Sequence, residues 1–152
     1  MLSIIKDMLQ PFAGKKILDA GCGDGRFCYE MSRENVDILG IDYSERAVRF
    51  ARAFNPSVEI LCGDLSQMSF LEEFDIIVIV EVIEHIPPKN IASVLKSLSK
   101  ALKHDGRLLV SVPTSNDQTA KKHYQHFTQE SLEQLLRKFF TLEKIVGNSR
   151  GG

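Results

Sequence analysis

The sequence predicts an α/β fold in three layers, a mostly parallel sheet with helices on both faces. Three observations lead there. Short apolar runs at residues 17–20, 36–42, 58–62, 74–78 and 107–112 alternate with segments whose apolar residues recur at helical spacing. The first run opens at once into glycines at alternate positions, Gly21, Gly23 and Gly25. The first three runs each carry an acid at or just past their carboxyl ends: Asp19, Asp42 and Asp64. Sheets of this kind bind ligands beyond the carboxyl ends of their strands. A glycine turn among acids therefore marks a candidate site.

The elements follow in chain order. Residues 2–9 form a first helix, ended by Pro11 and Gly14. Helices at 26–34 and 44–54 follow the first two strands, the second stopped by Asn55-Pro56. The clearest helix is 90–103, where Ile91, Val94, Leu95, Leu98 and Leu102 share a stripe that reads as core, with Asp105-Gly106 as the stop. Residues 107–112 are a fifth strand closed by Pro113. Thr128 N-caps a last helix with Leu132, Leu135, Leu136 and Phe139 on its buried side, and 141–146 would be a sixth strand. A chain of 152 residues that is 43% hydrophobic is enough for a single domain, 1–152, with its own core.

Composition narrows the setting. The net charge is −1 and no Lys/Arg block stands out beyond the pair Lys121-Lys122, which argues against a nucleic-acid partner. Cys22, Cys28 and Cys62 make an odd count without metal-ligand spacing and read as free thiols in a reducing compartment. The first ten residues lack a signal-peptide layout, and the most apolar run, 74–86, holds acids and is too short to span a bilayer. The expectation is a cytoplasmic protein without a membrane span.

The glycine turn sets the chemistry. Glycine lets the backbone turn tightly and approach a ligand without a Cβ in the way. Backbone contacts are expected from Gly21, Cys22 and Gly23, with Gly25 completing the turn. Asp19 places negative charge where a diphosphate would be repelled and an ammonium or sulfonium welcomed. The dinucleotide fingerprint G-x-G-x-x-G is the competitor, but the third glycine comes one residue early, and Arg26 stands where that pattern needs glycine. Asp42, about twenty residues on, is placed to accept hydrogen bonds from ribose hydroxyls. The alternative is that it caps the next helix, for which Ser44 is better suited. Asp64, followed by Leu65, can accept from an adenine amino group, and Tyr43 is placed to cover one face of the base. The ligand implied is a nucleoside with a cationic tail.

With these motifs in this order, the chain resembles the class I S-adenosylmethionine-dependent methyltransferases, which share a Rossmann-like fold. Asp19 to Gly25 matches the family's glycine motif, Asp42 its ribose acid, Asp64-Leu65 its adenine-side pair, and 74–78 and 102–113 its fourth and fifth strands. The resemblance runs from about Lys16 to Val146. It implies S-adenosyl-L-methionine as methyl donor and S-adenosyl-L-homocysteine as product. The family's seventh, antiparallel strand has no residues left to form it before Gly152. An unpaired edge invites a second copy, so a strand-paired homodimer is one expectation. The shortage of residues for a lid raises another: a domain that binds the donor without turnover.

The loop after the fourth strand, Glu81-Val82-Ile83-Glu84-His85, faces the methyl donor in this family. Methyl transfer to a hydroxyl needs positioning and a base for the departing proton. An imidazole titrates near neutrality, so His85 is the first candidate base, with Glu84 beside it. The expected acceptor is a small molecule methylated at oxygen. Glu81, Glu84 and His85 also resemble the E-x-x-E-H of relatives that hold a divalent cation beside the donor, either ubiquinone-pathway O-methyltransferases or enzymes that 2′-O-methylate RNA 3′ ends. A cation would need a fourth ligand, and His123, four residues before Phe127-Thr128, stands at that position. E-x-x-E-H also occurs in relatives that use no metal.

Overall fold

A computed structural model of the chain describes residues 1–113 and 124–147. Five parallel strands, β1 (Lys16–Ala20), β2 (Asp37–Asp42), β3 (Glu59–Cys62), β4 (Phe74–Val80) and β5 (Leu102–Ser111), form one sheet in the order β3-β2-β1-β4-β5. Chain direction across the sheet reverses between β1 and β4, which leaves a crevice at their carboxyl ends.

Neighbouring side chains along each strand point to opposite faces, and the core splits accordingly. Ile17, Ile76 and Val78 pack with α1 (Leu2–Leu9), α2 (Arg26–Ser32) and α3 (Glu45–Phe54). Leu18, Ile77 and Ile79 pack on the other side with α4 (Pro88–Ala101) and α5 (Gln129–Leu136). β4, buried on both faces, reads FDIIVIV for that reason. Each such side chain withdrawn from water contributes about 1.5–3 kcal/mol.

Caps follow the sequence closely. Ser44 Oγ accepts from Ala47 N at 3.2 Å and opens α3, while Thr128 and Ser131 form a reciprocal cap on α5. The carbonyls left at the end of α1 are met by a distant residue: the Arg107 guanidinium donates to Leu9, Gln10 and Pro11.

Three boundaries differ from expectation. The fourth helix ends at Ala101, and Leu102 already pairs with Phe74 on β4; the register then breaks, so that Ile76 pairs with Arg107. The physical reason is the packing of Leu102 over Gly106, where any Cβ would lie 2.6 Å from Leu102 Cδ1. A leucine on the helical stripe thus finds its apolar contact in the sheet. In the last helix only Leu136 is fully buried; Leu132, Leu135 and Phe139 are half-buried against the α4 side, with Phe139 beyond the helix end. The expected sixth strand is absent among the described residues, since 141–147 runs irregular and mostly exposed. An extended segment becomes a strand only beside a partner, and the described residues supply none there.

Candidate active site

Parallel register brings the carboxyl ends of β1, β2, β3 and β4 to one edge: Ala20 lies beside Ile41, and Asp42 beside Cys62. The glycine turn, Asp42, Tyr43, Asp64 and the loop after β4 therefore gather from segments far apart in sequence.

The turn is built inward. Gly21 N and Cys22 N both donate to Ile41 O, at 2.8 and 3.0 Å, and Gly23 N donates to Asp42 Oδ2 at 2.9 Å. Gly21, Gly23 and Gly25 all have positive φ, 83°, 53° and 81°. Two of them are also sterically required. A Cβ on Gly21 would lie 2.5 Å from Val82 Cγ2, so the loop after β4 is docked on the turn, and one on Gly25 would lie 2.6 Å from Asn55 Nδ2. Around the position of a Gly23 Cβ nothing lies within 4 Å among the described residues. With three amides engaged within the protein, the turn offers a ligand acceptors rather than a cradle of N–H groups, unlike a phosphate-binding loop.

Asp42 is engaged within the protein at both carboxylate oxygens. Its Oδ2 holds Gly23 N, and its Oδ1 accepts from Ser44 N at 2.9 Å, while Ser44 itself caps α3. Each carboxylate oxygen keeps lone-pair capacity for a ribose hydroxyl. Asp42→Ala is therefore expected to lower stability by about 1–3 kcal/mol, read as a fall in melting temperature, by orphaning two amides. It should also weaken donor binding about tenfold or more. An unchanged melt and an unchanged donor titration would remove Asp42 from the site.

Asp19 is buried behind the turn, with Cys28 Sγ donating to its Oδ2 at 3.4 Å. Burial pushes its carboxyl up to about 7, the Cys28 thiol pulls it down, and the negative charges of Asp42 and Asp24 raise it further. The Cys28 thiol is itself driven far upward by its bond with Cys22, by burial and by Asp19. Asp64 is exposed; its Oδ1 accepts from Ser66 N and Ser66 Oγ, both at 2.8 Å, and starts the short turn Leu65–Gln67 with Leu65 tucked into the core. Tyr43 stands out 83% exposed, so its ring is available.

The loop after β4 separates the residues expected to act together. Glu81, at φ 54°, is exposed, and its N–H donates to Ser111 O. Glu84 is 2% exposed, with His85 Nε2 3.8 Å from its Oε1, while His85 itself is half-exposed at the surface. Among the described residues no three His, Cys, Asp or Glu side chains gather as a metal site, and His123 lies outside them. The cation set of Glu81, Glu84, His85 and His123 is thus not assembled by the described residues. A buried Glu84 and an outward Glu81 explain why: one turn of tight helix, Ile83–His85, sends them to different environments.

Two contributions escape the sequence. Asn55, expected only as a helix stop, is buried and donates to Gly25 O at 3.0 Å and Ala51 O at 3.2 Å, tying α3 to the glycine turn. Tyr124 N donates to Glu84 O at 2.9 Å, and Gln125 Nε2 reaches Ile86 O, so the chain returns over the loop that carries His85. Nothing in the local sequence marks either contact.

Comparison with known proteins agrees with this geometry. A family described as "Methyltransferase domain" matches residues 1–145. The chain is 35% identical over 120 residues to a ubiquinone biosynthesis O-methyltransferase from Glaesserella parasuis, covering 72% of this chain and 50% of that protein. It is 30% identical over 142 residues to the protein of the same name from Photobacterium profundum, covering 90% and 57%. The chain thus spans about half the length of the curated relatives it matches. A crystal structure of a TehB-like SAM-dependent methyltransferase from Corynebacterium glutamicum superposes with a TM-score of 0.74 at 26% identity, covering 91% of this chain and 70% of that one. The dinucleotide alternative falls with these matches, and relatives of this kind do not favour the RNA 3′-end alternative. Sheet order, glycine turn and strand-end acids, together with the family match, place the chain in the class I S-adenosylmethionine-dependent methyltransferases.

Proposed function

We propose that this domain binds S-adenosylmethionine across the carboxyl ends of β1, β2 and β3 and transfers its methyl group to an oxygen of a small-molecule acceptor. The observation that carries the reading is the inward engagement of the Gly21, Cys22 and Gly23 amides beside the buried Asp19. Such a turn suits a cationic tail and disfavours a diphosphate. The residues fit the donor in three places: Asp19 behind the turn for the ammonium, Asp42 for the ribose, and Asp64 with Leu65 and Tyr43 for the adenine. The open space at Gly23 leaves room for the donor's backbone-like tail. The bound donor supplies a methyl group on a sulfonium, open to in-line displacement.

The protein's own part is positioning and proton removal. Val82 packed on Gly21 fixes the distance between the donor turn and the loop that carries His85. His85, half-exposed at that edge, takes the acceptor proton as the hydroxyl attacks, and the buried Glu84 orients the imidazole from 3.8 Å. Support for an oxygen acceptor comes from the similarity to ubiquinone biosynthesis O-methyltransferases. Cys22, Cys28 and Cys62 are free thiols, in keeping with a reducing cytoplasmic setting, and no helix among the described residues is long and apolar enough to cross a membrane. Among the described residues no strand pairs with the outer edge of β5, which supports a strand-paired homodimer that light scattering on the purified chain would measure.

Calorimetric titration with S-adenosylmethionine and S-adenosylhomocysteine, with and without Mg²⁺ or Mn²⁺, tests the donor site. Micromolar binding of both without added cation is the expected result. A cation-dependent rise in affinity would restore the Glu81/Glu84/His85 metal reading. Absence of binding to folded chain would withdraw the enzyme reading. His85→Ala is expected to lower turnover about 10²–10⁴-fold with donor affinity unchanged. Binding of donor without consumption, by any acceptor phenol offered, would leave a binding-only domain.

A further inference from the structure

We infer that the outer face of α2 and α3 is a docking surface for an anionic lipid bilayer. This goes beyond methyl transfer and does not depend on it. Three aromatic rings stand on that face with no core to fill. Tyr29 and Phe54 meet at 5.0 Å between centroids, Phe54 and Phe50 stack at 6.4 Å, and Phe50 and Phe54 are 60% and 48% exposed. Contiguous exposed aromatic surface on a small domain marks an interaction site.

The charges around the rings say what covers them. Every basic residue on these two helices and their caps is arginine: Arg26, Arg33, Arg46, Arg49 and Arg52, all exposed. They hold five of the chain's eight arginines and none of its eleven lysines. Arg46, Phe50 and Phe54 recur at intervals of four, so they share one stripe of α3. On α2, Arg26, Tyr29 and Arg33 do the same at intervals of three and four, with the Arg33 guanidinium 5.8 Å from the Tyr29 ring. The acids on α2, α3 and the residues flanking them are fewer. Glu34 is paired with Lys6 from α1, which leaves Asp24, Glu30 and Glu45 against five guanidiniums, with Asp7 on the neighbouring α1 and Arg52 Nε bonded to Ile60 O.

Aromatic rings flanked by arginine complement a bilayer surface that is apolar just below a layer of phosphates. The rings reach headgroup depth while the guanidiniums pair with phosphate oxygens in forked geometry. A second copy of the chain is disfavoured, because two such faces would bring like charges together. A bound peptide strand or helix would want a groove or a sheet edge, and these rings stand on the outer faces of helices.

Co-sedimentation of the 152-residue chain with vesicles tests the assignment. Vesicles of phosphatidylglycerol in phosphatidylcholine are expected to carry the chain down, and vesicles of phosphatidylcholine alone to leave it in solution. Each arginine near such a surface is worth about fivefold in partitioning, so Arg46→Gln with Arg49→Gln should cut binding about 25-fold. Phe50→Ser with Phe54→Ser should cut it about tenfold or more. All four positions are exposed, and an unchanged melting temperature certifies that the variants fold. Equal partitioning onto both vesicle types, or binding that neither double variant weakens, overturns the proposal. So does retention of polyglutamate or single-stranded oligodeoxythymidine by this face without vesicle binding, which would assign it to a protein or nucleic-acid partner. Donor titration is read separately, so failure here leaves the methyltransferase reading standing.

Discussion

Asp19→Asn is expected to make the ligand-free chain more stable at pH 8 and a poorer binder of S-adenosylmethionine. Burial holds the Asp19 carboxyl at about 7 in the folded chain, against an ordinary value near 3.9 when unfolded. Between those values the folded state keeps a proton that the unfolded state has lost. Stability is therefore full below about pH 4, falls as pH rises to about 7, and levels off above it. At pH 8 the folded chain bears the whole cost of a buried charge, roughly 2–4 kcal/mol. Asparagine has the same shape, keeps an oxygen for the Cys28 thiol, and carries no charge. Its stabilising effect should be near full at pH 8 and vanish towards pH 4.

Donor binding should move the other way. Deprotonation of Asp19 supplies the counter-charge for an ammonium, so wild-type affinity should rise as pH passes through about 7. In Asp19→Asn the pH dependence should disappear and affinity should drop about tenfold or more. Thermal melts at pH 4 and 8, paired with calorimetric titrations at pH 6 and 8, measure both halves. Melts that show no pH-dependent gain would mean that the carboxyl is not held as a buried acid. A pH-independent wild-type affinity would move Asp19 away from the donor.

The second large effect is a contrast between two glycines two residues apart. Gly21→Ala places a Cβ 2.5 Å from Val82 Cγ2 at a φ of 83°. Left-handed backbone strain and overpacking together should cost roughly 2–5 kcal/mol and displace the loop that carries His85. A Cβ at Gly23 meets no atom of the described residues within 4 Å, so the expected cost of Gly23→Val to the fold is the strain of φ 53°, about 1–2 kcal/mol. Yet its side chain fills the space left open for the donor, and binding should be lost. The expected pattern is a damaged fold for the first and a folded, non-binding chain for the second. A Gly23→Val chain that still binds donor with wild-type affinity would show that the ligand does not approach the turn there.

Local chemistry was legible directly in the chain. Ser44 and Thr128 were readable as caps because a cap is settled within four residues. The strands were readable because burial on both faces leaves an apolar run, in which an acid such as Asp19 stands out. The glycine turn was readable because positive φ has few other tolerated residues.

What the tertiary structure decided lies in contacts between residues far apart in sequence. Asp42 reaches Gly23 across nineteen positions, and Asn55 reaches Gly25 across thirty. No periodicity encodes either bond. The end of α4 depended on Leu102 finding Gly106 in the sheet, a choice that helical spacing alone resolves the other way. Glu81, Glu84 and His85 looked like one ligand set in sequence, and a single tight turn placed Glu84 in the core and Glu81 in solvent. The arginines form no block along the chain, and become a face only when α2 and α3 pack side by side. Sequence fixes propensity within a turn or two, whereas burial and charge density are properties of the packed surface, and so the chemistry of Asp19 and of the arginine face emerges only in the fold.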